Sequence, residues 1–252
     1  MKRITFIGSG NVATNLAKAF FSKGYKIVQI CSATMSNAKA LASMVDAETT
    51  NDLSKLKPAD VFIMAVRDDV ITDLADKLSI DNALLLHTAG SVNMDVLHGF
   101  KNHGVLYPLQ TFTKEREVNF SSIAFFIEAN TQENLEQLRV LASSLTSRVI
   151  PLKTEERLKL HVAAVFACNF LNYLLSIAAD LSKENFSTLH SLVNEMVSKA
   201  FEAQHPSRVQ TGPAVRNDRA TLKKHEELLS LYPNIQQLYL ILSQAITNQQ
   251  HG

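Results

Sequence analysis

The apolar positions of this chain follow two rhythms. Up to about residue 152, short runs of strand-forming residues alternate with stretches in which hydrophobic side chains recur at helical spacing; beyond it only the helical rhythm continues. Residues 4–7, 25–31, 61–66, 83–86, 104–106, 123–127 and 148–152 read as strands, with 47–50 a brief further one. The stretch Val61, Phe62, Ile63, Met64, Ala65, Val66 is continuously apolar, as a parallel strand covered on both faces should be. Between the strands lie a helix carrying Val12, Leu16, Ala19 and Phe20, one carrying Leu41, Ala42 and Val45, and a short one over 52–56. An aspartate of Arg67-Asp68-Asp69 is placed to cap a helix with Val70, Ile71, Leu74 and Leu78, and another helix covers 132–145. This alternation predicts an α/β fold, a doubly wound, mainly parallel sheet. Helices over 155–181, 186–203, 219–229 and 235–248 follow, with Asp218 and Asn234 in N-cap positions for the last two. They predict a smaller all-α C-terminal domain, so the domains are 1–152 and 153–252, with the long first helix serving both.

The first strand stops at Gly8-Ser9-Gly10-Asn11-Val12-Ala13. Gly8 suits a tight turn, Gly10 a close approach of backbone to a pyrophosphate, and the small Ala13 the place where helix meets strand; free amides at the helix start favour an anion. The string alone also fits any glycine turn between strand and helix. Its position directly after a strand favours a dinucleotide. After the second strand, a fold that binds NAD tends to place an acid for the ribose 2'-hydroxyl, whereas this turn offers Ser32, Thr34, Ser36, Asn37 and Lys39 and no acid until Asp46. A carboxylate would repel a 2'-phosphate that hydroxyls, an amide and an ammonium would accept, so the expected cofactor is NADP; Ser36 or Asn37 also suits the cap of the next helix. Right-handed crossovers put the loops after Ile7, Cys31, Val66 and Leu86 along one sheet edge, which adds Ala65, Val66 and Arg67 to the expected cofactor contacts.

Charge narrows the partners. In 252 residues Lys and Arg total 25 and Asp and Glu 24, so no global field invites nucleic acid or an anionic membrane, and the expected partner is a small molecule. Cys31 and Cys168 lie in apolar sequence without metal-ligand spacing, as buried free thiols of a reducing compartment would. The chain enters a strand at once, without room for a signal peptide, and no apolar run approaches the ~20 residues that span a bilayer. A cytoplasmic location is expected.

Polar residues punctuate the long helix at His161, Asn169 and Asn172. At ~100° per residue Asn172 returns to within ~20° of His161, with Asn169 ~80° away and ~12 Å along the axis, so the three can line one groove. They fit equally a set of satisfied core residues. A second cluster, Thr211-Gly212-Pro213-Ala214-Val215-Arg216-Asn217-Asp218, joins a turn to an arginine that either grips a carboxylate or phosphate or stays solvated. No nucleophile triad or metal spacing is evident, so the chemistry expected is hydride transfer on a bound cofactor.

Taken together, the glycine turn, the 61–69 segment, His87-Thr88-Ala89-Gly90-Ser91, the segment Tyr107-Pro108-Leu109-Gln110-Thr111-Phe112, the 161–170 helix and the 211–218 cluster resemble a bacterial family over essentially the whole chain. That family joins a Rossmann-like NADP-binding domain to a helical C-terminal domain, and its members are identified as NADP oxidoreductases. They stand with the 6-phosphogluconate dehydrogenase, pyrroline-5-carboxylate reductase and ketopantoate reductase superfamily. Ketopantoate reductases carry a lysine and two asparagines at four-residue steps on the equivalent helix; here His161, Val165 and Asn169 take those places, so ketopantoate is not the expected substrate. The resemblance implies the fold, the NADP cofactor and a homodimer, and names no substrate; the leading expectation is a reductase, or the reverse dehydrogenase, acting on a small polar carbonyl or imine compound in an interdomain cleft. His161 is then the proton donor, since histidine as a type changes charge near neutrality. Asn169 orients substrate or nicotinamide, Arg216 holds an anionic group, and Ser91 and Gln110 are weaker candidates. The rival expectation is a non-catalytic NADP(H) sensor or scaffold.

Overall fold

The structure, a computed structural model, describes residues 2–251. The chain divides into two compact units, Met1–Ala167 and Cys168–Gly252. The division falls inside the long helix, later than the end of strand patterning.

In the first unit, β1 (Arg3–Ile7), α1 (Asn11–Ser22), β2 (Lys26–Cys31), α2 (Met35–Met44), β3 (Glu48–Thr50), β4 (Val61–Met64), α3 (Ile71–Ala75), β5 (Leu84–His87), β6 (His103–Pro108), β7 (Phe125–Ala129), α4 (Gln132–Ser143), β8 (Val149–Pro151) and α5 (Thr154–Ala164) follow in order. The strands form one sheet in the order β3-β2-β1-β4-β5-β6-β7-β8, parallel except where β7 runs against β6. Strand order reverses beside β1, and Ile7 pairs with both Cys31 and Met64, so the loops after β1, β2 and β4 leave the sheet together. Alternation of side chains along the central strands divides the core. Ile4, Phe6, Ile63 and Leu86 pack with Leu16, Phe20 and Leu41 on one face. Ile7, Phe62, Met64 and Leu85 pack with Ile71 and Leu97 on the other. Burial on both faces is what the unbroken apolar run of β4 requires.

Gly8 is the hinge of the first turn. Its φ is +113°, and a Cβ there would lie 2.2 Å from the Ala65 carbonyl oxygen, so only glycine lets β1 pass β4 and enter α1. Gly24, at φ +83°, ends α1.

The second unit holds α6 (Leu171–Ser182), α7 (Leu189–Glu202), α8 (Arg219–Leu228) and α9 (Pro233–His251). Asp218 caps α8 as expected, accepting from the Thr221 amide at 3.1 Å, and those bonds pull its carboxyl below the usual range. The tie between Gln236 and the Glu226 carbonyl, 2.8 Å, joins α9 to α8.

Five local expectations need correction. Asn234 does not cap α9, because Pro233 takes the first helical position, where its missing N–H costs nothing. Ser36 and Asn37 lie inside α2, whose N-cap is Thr34. Neither aspartate caps α3: Asp68 accepts from the Ser91 hydroxyl, and Asp69 is clamped by Arg67 at 2.6 and 3.0 Å. Residues 165–170 wind as a π-helix, so ~100° per residue does not hold between His161 and Asn169 or Asn172. The apolar content of the helix was also greater than its uninterrupted runs suggested: the helical stretch Thr154–Glu202 contains an 18-residue window of mean hydropathy 1.8, none of it buried.

Candidate active site

A cleft of about 890 Å³ opens at the carboxyl ends of β1, β2 and β4. Gly8, Ser9, Gly10, Asn11 and Val12 form one wall, Ser32, Ala33, Thr34 and Asn37 a second, and Ala65, Val66 and Arg67 a third. The Ser9 and Ser32 hydroxyls meet at 2.7 Å, holding the first two walls in register. At the start of α1 no side chain caps the helix and no acid occupies the first turn, so the amides of Asn11, Val12 and Ala13 are donors for an anion. A Cβ added at Gly10 would meet no protein atom within 4 Å. Internal packing therefore does not explain that glycine, whereas close approach by a diphosphate does. Ala13 is fully buried against the sheet, which accounts for its small side chain.

Of the residues expected to bind the cofactor, Ser36 and Lys39 are not in the cleft wall, because the first turn of α2 carries them past it; Asn37 takes the place expected for them. The wall also includes Asn51, Leu53, Leu74, Lys77 and Lys114. The Cys31 thiol lies there too, and burial pushes its pKa up. Cys168 is exposed rather than buried, since its apolar sequence neighbours do not cover it.

A second group of polar side chains stands beside this cleft, at the ends of β4, β5 and β6. The Tyr107 hydroxyl lies 3.1 Å from His161 Nδ1, with the two rings edge to face at 6.0 Å. Gly90 makes the approach possible: a Cβ there would sit 2.7 Å from His161 Nδ1 and 2.8 Å from Tyr107 Cζ. The Gly90 turn is set by His87, whose Nδ1 accepts from the Ala89 amide at 3.2 Å. Burial, aided by the nearby Arg157 charge, lowers the His87 pKa to about 3, so this ring is neutral with its proton on Nε2. Ser91 donates to Asp68, the residue after Arg67, and so couples this group to the cleft wall. Burial and the Asp68 charge push the Tyr107 hydroxyl pKa up.

One turn before His161, Arg157 is completely buried. Its guanidinium pairs with Glu128 on β7 and donates to the Val92 carbonyl at 2.6 Å and to Thr154 at 3.1 Å. The pairing fixes where α5 starts on the sheet and hence where His161 stands.

Asn169 and Arg216 belong to the second unit, and both are exposed; Arg216 lies beside Asp218, whose carboxyl it helps to hold ionised. Gln110 is turned onto its own loop, accepting from the Thr111 amide at 2.8 Å. His87, Tyr107, Asp68 and Arg157 were missed as candidates. The signal for the first two was a polar ring at the end of an apolar strand, followed by Thr-Ala-Gly or by proline.

Residues 3–89 match the family described as NADP oxidoreductase, coenzyme F420-dependent, and residues 123–246 match a domain of unknown function. A solved protein of Bacteroides fragilis, described as a candidate NADP oxidoreductase, shares 41% of its residues with this chain, with 98% of each chain covered and a TM-score of 0.91. The chain belongs to the NADP oxidoreductases. No curated protein matches it. At 18% identity, a pyrroline-5-carboxylate reductase of Coxiella burnetii superposes with a TM-score of 0.56 over 99% of this chain and 97% of its own. An imine reductase of Myxococcus stipitatus in complex with NADP+ does so at 14% identity, with a TM-score of 0.61 over 98% and 92%. Both likenesses are of fold. The cofactor of the family is NADP, and this cleft, with no carboxylate in its β2 wall, suits the 2'-phosphate.

Proposed function

We propose that this oxidoreductase reduces a small polar carbonyl or imine compound, with His161 as proton donor. The observation that carries the reading is the His161–Tyr107 pair standing next to the loop that forms the β4 wall of the cofactor cleft. Bound NADPH would supply the hydride. In the charged imidazole ring, Nδ1–H donates to the Tyr107 oxygen, which sets the ring plane and leaves the Nε2 proton to transfer. The substrate carbon gains the hydride, its oxygen or nitrogen gains that proton, and His161 is left neutral. The raised pKa of Tyr107 keeps it a hydroxyl and an acceptor.

The test is NADPH oxidation against a panel of 2-oxo acids, aldehydes and cyclic imines, with cofactor affinity measured separately. His161→Gln should lower kcat by about 100-fold and leave the NADPH Kd unchanged. Full turnover by that variant would overturn the acid role, and wild-type binding of NADPH without oxidation by any panel member would favour a sensor.

The helical unit is proposed to be completed by a second copy of the chain, in the cytoplasm. Among its described residues only Ala214 and Leu229 are buried hydrophobics, while Leu192, Phe201, Leu228 and Leu231 are each at least 65% exposed. Exposed apolar area of this extent marks an interaction surface. Light scattering should give twice the 27.9 kDa chain mass. A monomer, or partition of the protein into lipid vesicles, would overturn this part.

A further inference from the structure

We infer that Lys114 is a clamp for the cofactor's diphosphate, contributed by the β6–β7 connection across the start of α1. The inference rests on the NADP reading of the cleft. An antiparallel pair such as β6 and β7 can be closed by a two-residue turn, yet here the chain makes a long excursion over residues 109–124. Such lengths in a compact domain are usually functional. The excursion is held at defined points. Phe112 is buried and stacks on Phe120 with centroids 5.9 Å apart, and the Leu109 amide donates to the Ala124 carbonyl at 3.0 Å.

The decisive tether is Asn15. Its side-chain amide donates both to the Asn11 carbonyl at 2.9 Å and to the Thr113 carbonyl at 3.0 Å. One buried residue thus fastens the excursion to the first turn of α1, where the free amides are. The next residue, Lys114, is in the cleft wall. Among the described residues no carboxylate lies within ion-pair distance of its ammonium. The other cations of the wall are differently placed: Arg67 is clamped by Asp69, and Lys77 follows the end of α3. A diphosphate on α1 carries two negative charges, and helix amides supply only about half a charge in return. Lys114, anchored one residue from the tether, supplies a full one.

The location of Lys114 decides which phosphate it serves. The 2'-phosphate belongs at the β2 wall with Ser32, Thr34 and Asn37, whereas Asn15 ties the excursion to α1. Loss of the charge should therefore weaken NADPH and NADH by the same factor.

Nucleotide fluorescence titrations of the wild type, Lys114→Gln and Lys114→Arg at two salt concentrations test this. The Gln variant should lose about five- to tenfold affinity for both nucleotides and show a shallower salt dependence, with the Arg variant close to wild type. Weaker NADPH binding with unchanged NADH binding would move Lys114 to the 2'-phosphate and overturn the proposal, as would unchanged affinity for both. Wild-type protein that binds neither nucleotide would overturn the cofactor reading itself, a result distinct from either.

Discussion

Lowering the pH from 7.5 to 5 should destabilise this protein through His87 in particular. The ring is buried, and its Nε2 makes no hydrogen bond. The Asn93 backbone favours the charged form slightly without closing a normal bond, and is outweighed by burial and by the Arg157 and His103 charges. The folded pKa is about 3 against 6.5 for the free ring. Between those values the unfolded chain binds a proton that the folded one refuses, so stability is fully present above 6.5 and falls as pH falls towards 3. Each pH unit below 6.5 costs about 1.4 kcal/mol, so at pH 5 the loss is about 2 kcal/mol, a large part of the ~5–15 kcal/mol that holds a typical domain folded. His87→Asn keeps an acceptor for the Ala89 amide but does not titrate. Urea unfolding of both proteins at pH 7.5, 6 and 5 gives the comparison: the wild type should lose about 2 kcal/mol more than the variant. Equal pH dependence would show that the buried neutral ring is not the cause.

Gly8→Ala should lower stability by about 2–4 kcal/mol, read as a drop in Tm, because the residue would sit at positive φ with its Cβ against the Ala65 carbonyl; an unchanged Tm would refute the crossing geometry. Ser32→Asp should weaken NADPH at least tenfold while leaving NADH nearly unchanged, measured by nucleotide titration, since a carboxylate in the β2 wall repels the 2'-phosphate; equal losses for both nucleotides would refute that placement. Tyr107→Phe removes the hydroxyl beside His161 and should lower kcat by about tenfold with NADPH affinity preserved; an unchanged kcat would leave the ring pair without a catalytic part.

What the sequence made legible was whatever depends on local pattern. The unbroken run of β4 and the glycine turn announce a parallel sheet with a dinucleotide edge, and that edge forms the cleft. Residues set by long-range partners were not legible. Asp68 looked like a helix cap because capping is a local rule, but Ser91, on a different loop, claims it. Cys168 looked buried because its neighbours are apolar, yet burial depends on what covers a helix face, and the faces of the second unit are open within one chain. Helical phase was misjudged beyond Ala164 because nothing in Val165-Phe166-Ala167-Cys168-Asn169-Phe170 advertises a π-helix; such bulges occur frequently at functional sites.

Arg157 shows why a costly residue can be retained for position. Burying a guanidinium and a carboxylate forfeits hydration that their attraction repays only with good geometry, and a hydrophobic pair of similar volume often serves stability as well. Here the guanidinium reaches two segments outside its own helix, Glu128 on β7 and the Val92 carbonyl, besides Thr154 of α5 itself, and those two contacts fix α5 one turn ahead of His161. Arg157→Met keeps bulk but leaves Glu128, itself only 16% exposed, without its partner, so it should cost about 3 kcal/mol in urea unfolding. Arg157→Met with Glu128→Gln removes the stranded charge and should recover most of that stability. If Arg157 acts only through stability, the double variant regains kcat along with its fold. If it positions His161, kcat stays low in the double variant while the NADPH Kd matches wild type, because the glycine turn after β1 is untouched. Full recovery of kcat would refute the positioning role.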